Sequence, residues 1–139
     1  MTAPNSQVTP NQQSVTNDAA LVLLGKSIGL NLGAAGDTQM TLAGPFTRFV
    51  PTTVVTTNSQ GVVNVATATV GVYTQQAQQG TAVLTTAALT GQTTNAFAYV
   101  RAATAAAAQV ASSGQLWANV GTTVAGATCD LFVYGYVVG

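Results

Sequence analysis

General acid and base catalysis draws on His first and on Asp and Glu next. This chain of 139 residues has no His, no Glu and three Asp, at Asp18, Asp37 and Asp130. Its single cysteine, Cys129, and its serines become nucleophiles only beside an activating base, and Lys26 is the only lysine able to serve. A zinc site needs His or several Cys, and the chain supplies neither. Asp37, in Gly36-Asp37-Thr38, could lend one carboxylate to calcium with backbone carbonyls completing the shell, although an Asx-turn is the simpler role there. Gly25-Lys26-Ser27 imitates the end of a phosphate loop, but no glycine stands five residues before Gly25. No catalytic, cofactor-binding or metal-ligating residue is expected, and the chain is read as non-enzymatic.

Aromatic rings remain. Trp117, Tyr99, Tyr134 and Tyr136 could stack on a sugar, the best small-ligand chemistry this composition permits. Aromatics at alternating strand positions more often form core or subunit interface, because rings carry much of the burial energy there. Ice binding would need a regular Thr-x-Thr array, and only Thr67-x-Thr69 fits.

The element that positions most of these groups is the stretch Thr128 to Val138, rich in aromatic and β-branched residues. In an extended strand Cys129, Leu131, Val133 and Val137 share one face, and Phe132, Tyr134, Tyr136 and Val138 the other. Both faces are apolar, so burial on both sides is expected: the domain's own core on one, and a second subunit on the other. The alternative is a central core strand whose tyrosines reach the rim.

Earlier segments read as strands too. Ile28, Leu30 and Leu32 alternate with Ser27, Gly29 and Asn31, while Asp18 to Gly25 could be a short helix instead. Gly33 to Thr38 is expected as a turn and Gln39 to Ala43 as a short strand. Phe46 to Thr57 puts Arg48, Val50, Thr52, Val54 and Thr56 on one face, with Pro51 demanding an edge or a bulge. Asn58 to Gly61 would turn that strand into a hairpin with Val62 to Tyr73. Further strands are expected at Thr81 to Leu89, at Ala96 to Arg101 with Phe97 and Tyr99 together, and at Gln115 to Val120. Ala102 to Ala111 is alanine-rich and fits a short helix, a loop or a strand. The sum is an all-β, antiparallel β-sandwich of about eight strands.

Only 4% of the residues are charged, against about 25% in ordinary soluble domains, and the net charge is zero. Nothing holds like molecules apart at long range, so self-association is expected. Three cations are too few for a nucleic-acid or anionic-membrane partner. The first residues lack a basic and an apolar signal region, and no apolar run is long enough to span a bilayer. Met1 to Asn17 carries Pro4 and Pro10 with Val8 and Val15 as lone apolar anchors, the pattern of a disordered tail or, the reading favoured here, of an extended arm that orders against a neighbour; residues 18–139 are expected to form the domain.

Gly36-Asp37-Thr38, the run from Arg48 to Asn58, Gly71-Val72-Tyr73-Thr74 and Asp130-Leu131-Phe132-Val133-Tyr134-Gly135 together resemble small β-sandwich proteins encoded among tailed-phage structural genes. The likeness covers Asn31 to Gly139. It implies a jelly-roll or similar sandwich acting in the virion, most plausibly as a capsid decoration (cement) protein that sits as a homotrimer on the shell. The partners implied are copies of itself and the major capsid protein, the location is the capsid surface, and synthesis is in the host cytoplasm without a signal peptide. On this reading Phe132, Tyr134 and Tyr136 form the subunit interface, and the arm, through Val8, Pro10 and Val15, contacts neighbouring capsid subunits. The runner-up is a head- or tail-fibre tip that binds a host glycan through Trp117 and Tyr99.

Overall fold

A computed structural model describes residues 21–62, 64–92, 98–102, 111–112 and 114–138. The arm with Val8, Pro10 and Val15 lies outside them, as do Phe97 and most of the alanine-rich stretch. Ten strands make up the described fold: β1 (Val22–Asn31), β2 (Gly36–Gln39), β3 (Thr41–Leu42), β4 (Arg48–Gln60), β5 (Thr69–Gln75), β6 (Gln79–Ala88), β7 (Ala98–Ala102), β8 (Ala111–Ser112), β9 (Trp117–Val120) and β10 (Thr128–Val137). They form two antiparallel sheets. One runs β3-β1-β10-β4-β7, with β8 also on β4, and the other runs β2-β9-β5-β6.

The pairing is nested. β1 pairs with β10, β2 with β9, β4 with β7 and β5 with β6, as in one long hairpin rolled over on itself. The pairs β10 with β4 and β5 with β9 then close the two sheets. This is the strand order of a jelly roll, an architecture shared by capsid and lectin domains. The all-β antiparallel sandwich expected from the alternation is therefore the observed fold, with eight principal strands and two two-residue ones.

Between the sheets, Leu24, Phe49, Val54, Cys129, Leu131 and Val133 meet Val70, Val72, Val83, Ala118 and Val120, all buried. Leu116, Ala118 and Val120 point inward with Trp117 opposite, following the alternation read in the sequence.

Several expectations change at bulges, because one extra residue flips every following side chain to the other face. Ile28 and Gly29 together oppose Asp130, so Leu30 and Leu32 are buried while Ile28 turns out to solvent, 60% exposed. Gly29 takes the left-handed backbone conformation (φ 67°) that such a bulge requires. On β4 a register shift at Thr52 separates the buried Phe49 and Pro51 from the next buried residues Val54 and Thr56. Arg48, Val50, Val54 and Thr56 therefore do not share one face as expected. β4 is an interior strand, and Pro51 is accommodated by that bulge rather than by an edge.

Connections differ as well. The expected hairpin after Asn58 does not form: β4 runs on to Gln60, and the chain crosses to β5 in the other sheet. Gly36 to Thr38 belongs to β2 rather than to a turn. The expected strand from Gln39 to Ala43 is split, because the chain changes sheets at Met40, whose N–H is held by Leu116 O at 2.8 Å. From Val22 on, the segment that could have been helical is strand. These misses share a cause, in that periodicity reports which residues alternate but not which sheet a strand joins.

Candidate interaction face

β10 sits in the middle of the six-stranded sheet and divides its side chains as its alternation requires. Cys129, Leu131 and Val133 are fully buried in the core, and Val137 packs against it. Asp130, Phe132, Tyr134 and Tyr136 lie on the outer face. Neighbouring strands extend this face in rows: Lys26, Phe132, Val55 and Val100 in one, Leu23, Tyr134 and Thr53 in the next, then Tyr136 with Val50. Val138 N–H bonds to Arg48 O at 3.0 Å, which places Val138 and the exposed Arg48 at the end of the same face.

Phe132 and Tyr134 are half-buried by these neighbours, and Tyr136 is 37% exposed. Among the described residues, the exposed large hydrophobics are Leu21, Ile28, Val100, Tyr136 and Val138. Each lies on β1, β7 or β10, or directly flanks one of them, so all belong to this sheet. The exposed large apolar side chains of this nearly uncharged domain are thus concentrated on one sheet.

The outer face of the four-stranded sheet is different in kind. Asp37, Asn119 and Gly71 form one row, and Gln39, Trp117 and Tyr73 the next. Asn119 donates from Nδ2 to Asp37 Oδ1 at 2.8 Å and accepts from Gln78 Nε2 at 2.7 Å. Asp37 Oδ2 accepts the N–H of Ala77 at 2.8 Å, in a turn where Ala77 and Gln78 both have positive φ. Asp37 thus clamps a distant turn and is not the local Asx-turn expected. Tyr73 OH accepts the N–H of Thr86 at 3.0 Å, a donor released where β6 slips register against β5.

Asp130 does the same for β1. Its Oδ1 accepts the N–H of Gly29 at 2.8 Å and its Oδ2 accepts Asn58 Nδ2 at 3.1 Å, so the carboxylate plugs the bulge. Arg101 donates to Thr56 Oγ1 at 3.0 Å, and Thr56 in turn donates to the fully buried Gln92 at 2.7 Å. The sequence shows these charged residues but not which groups they meet, because their partners lie tens of positions away. Gly29 after Ile28 was the one local sign, since a glycine inside a strand often marks a bulge.

Burial, and next the Asp130 carboxylate, push the Cys129 thiol from 9.0 up to about 12. With no exposed surface, the thiol is a small core hydrophobe. The folded state keeps its proton where the unfolded chain releases it, so stability present below about pH 9 is lost as pH rises toward 12. Each pH unit in that window costs about 1.4 kcal/mol, so between about pH 8 and 10.5 the native chain loses about 2 kcal/mol more than Cys129→Ala. Urea midpoints of the two proteins measured across that range check it; parallel curves would contradict the burial of the thiol.

Trp117 is half-buried on β9, its Nε1 donating to Gln115 Oε1 at 3.0 Å. Tyr99 is on β7, in the other sheet, paired in register with Thr56. The two residues of the glycan reading therefore do not share a sheet. The described residues contain no group of three or more His, Cys, Asp or Glu able to hold a metal, and no helix long and apolar enough to cross a membrane.

No family model and no curated protein matches the sequence. Among solved structures, one described as "Structure of infectious bursal disease virus Gx strain" is similar at a TM-score of 0.35 with 12% identity, covering 84% of this chain and 32% of that one. The chain thus spans about a third of the length of that neighbour. A likeness of that degree carries no functional weight.

Proposed function

We propose that this chain is a non-enzymatic structural component of a phage virion, a decoration protein that binds and stabilises the capsid. The observation that carries the reading is the segregation of exposed apolar side chains onto the outer face of the six-stranded sheet. A domain with few charges and a net charge of zero has little to oppose assembly through such a face. Copies associate through Phe132, Tyr134 and Tyr136, and the second partner is the major capsid protein, gripped by residues Met1 to Asn17. Both described carboxylates are engaged in clamping backbone donors, which favours a mechanical role over a catalytic one. Uncharged contacts are also little screened by salt, which suits an extracellular particle. The resemblance to phage sandwich proteins points the same way.

Deleting Met1 to Asn17 should abolish binding to undecorated capsids while leaving the domain folded by circular dichroism. Unchanged binding would sink the role of the arm. Binding of sugar by the isolated domain, with no affinity for capsids, would instead favour the fibre-tip reading.

A further inference from the structure

The outer face of the four-stranded sheet is crossed by part of its own chain. Asn119 and Asp37 stand in the row of Gly71, and Trp117 stands in the row of Tyr73. Gln75 is four residues beyond Gly71, about 13 Å along β5, and in a straight hairpin the turn that follows would lie farther out still. Instead the N–H of Ala77 meets Asp37 Oδ2 at 2.8 Å, and Gln78 Nε2 meets Asn119 Oδ1 at 2.7 Å. The tip of the hairpin therefore folds back across the row that holds Trp117 and Tyr73. Tyr73 is left 6% exposed although it lies on the outer face, and Trp117 is half-buried.

We infer that residues Gln75 to Gly80 form a flap, latched by Asp37 and Asn119, that opens while the sandwich stays folded and so uncovers an aromatic surface at Trp117 and Tyr73. The inference goes beyond the decoration reading and does not rest on it. Closed, the face presents Asp37, Gln39 and Gln78 and is polar. Open, it adds an indole and a phenol ring, the groups enriched in contact surfaces.

The bend is built into the two strands. Their register slips between Val70 and Val72, between Val72 and Tyr73 and between Tyr73 and Gln75, and each such irregularity bends and twists the ladder. At the base of the tip the buried Thr74 accepts the N–H of Thr81 on Oγ1 at 2.8 Å, which fixes the hinge to the body of the domain. Beyond it, every residue from Gln75 to Gly80 is exposed. Burial of apolar surface thus does little to hold the tip, and the bonds to Asp37 and Asn119 take that role. Strain works against them. Ala77 and Gln78 both adopt the left-handed conformation, at φ 58° and 60°, in a turn whose shape favours Asn and Gly. A segment with exposed hydrogen bonds and few apolar contacts opens at a small part of the free energy of global unfolding.

Trp117 is the single tryptophan of the chain, so its fluorescence reads the flap without a label. Acrylamide quenching should rise about twofold or more in Asp37→Ala, which removes a charged acceptor from the latch, and fall in Ala77→Asn, which suits the left-handed turn and tightens it. Both variants should keep the far-UV circular dichroism of the wild type. In the wild type, hydrogen exchange at the Ala77 amide should proceed by an opening that low urea does not accelerate, whereas the amide of Val133, on a strand paired on both sides, follows global unfolding. Unchanged quenching in either variant overturns the flap, and so does Ala77 exchange that tracks Val133. The exchange measurement and Ala77→Asn decide the matter even where Asp37→Ala loses the fold.

Discussion

Gly135→Ala lowers the unfolding free energy by about 3 kcal/mol or more, measured as a fall in urea midpoint at unchanged slope. Gly135 lies on β10 where Thr52 bulges from β4. A Cβ placed there would stand 2.1 Å from Val50 O and 2.8 Å from both Pro51 Cα and Leu24 Cδ1. Two of those atoms are backbone and cannot rotate away, so the two central strands must separate. Gly114→Ala is the matched control, because a Cβ there meets nothing within 4 Å, and it should change stability by less than about 0.5 kcal/mol. A Gly135→Ala protein as stable as the wild type would mean that β10 and β4 do not approach this closely at the bulge.

Asp130→Ala should cost about 1 to 2 kcal/mol, since it strips a charged acceptor from two donors at once, one of them a backbone N–H that no strand partner can satisfy and that only water would then meet. Asp130→Asn keeps an oxygen for Gly29 N and should recover about half of that loss. Amide hydrogen exchange at Gly29 reads the same event locally, because in the alanine variant this proton loses its protection while Leu30, bonded within the ladder, keeps its own. Protection at Gly29 that does not change would contradict the plug.

How much of this was legible depends on the range of the interaction. Alternation along Thr128 to Val138 depends only on neighbours in the chain, and it correctly separated Cys129, Leu131 and Val133 from Phe132, Tyr134 and Tyr136. Pro51 announced an edge or a bulge because its ring forbids a ladder bond wherever it stands, and the sheet order decided for the bulge. Ile28 was misplaced because the flip at Gly29 depends on Asp130, 101 positions beyond Gly29, whose carboxylate makes the bulge tolerable. The hairpin expected after Asn58 failed for a similar reason. Turn residues permit a reversal, but the core decided that Val70 and Val72 should face β4 across the sandwich rather than pair beside it. The segregation of apolar side chains onto one outer face was half visible, since β10 has two apolar faces, but the contributions of Ile28 and Val100 needed the sheet order.

The nested strand order also constrains how the molecule is made. Val22 pairs with Gly135, nearly the whole described chain apart, whereas β5 and β6 meet across a three-residue turn. Closing the longest loops first carries the largest entropy cost, so assembly that starts at the β5–β6 hairpin and zips outward through β4 with β7 and β2 with β9 is the least costly route. β10 arrives last, yet it lies between β1 and β4 and joins the two halves of its sheet. Until it inserts, both halves present open edges and uncovered apolar faces. Any chain stalled or cut before Thr128 is therefore an aggregation-prone species rather than a smaller domain, with those edges left open until β10 is made.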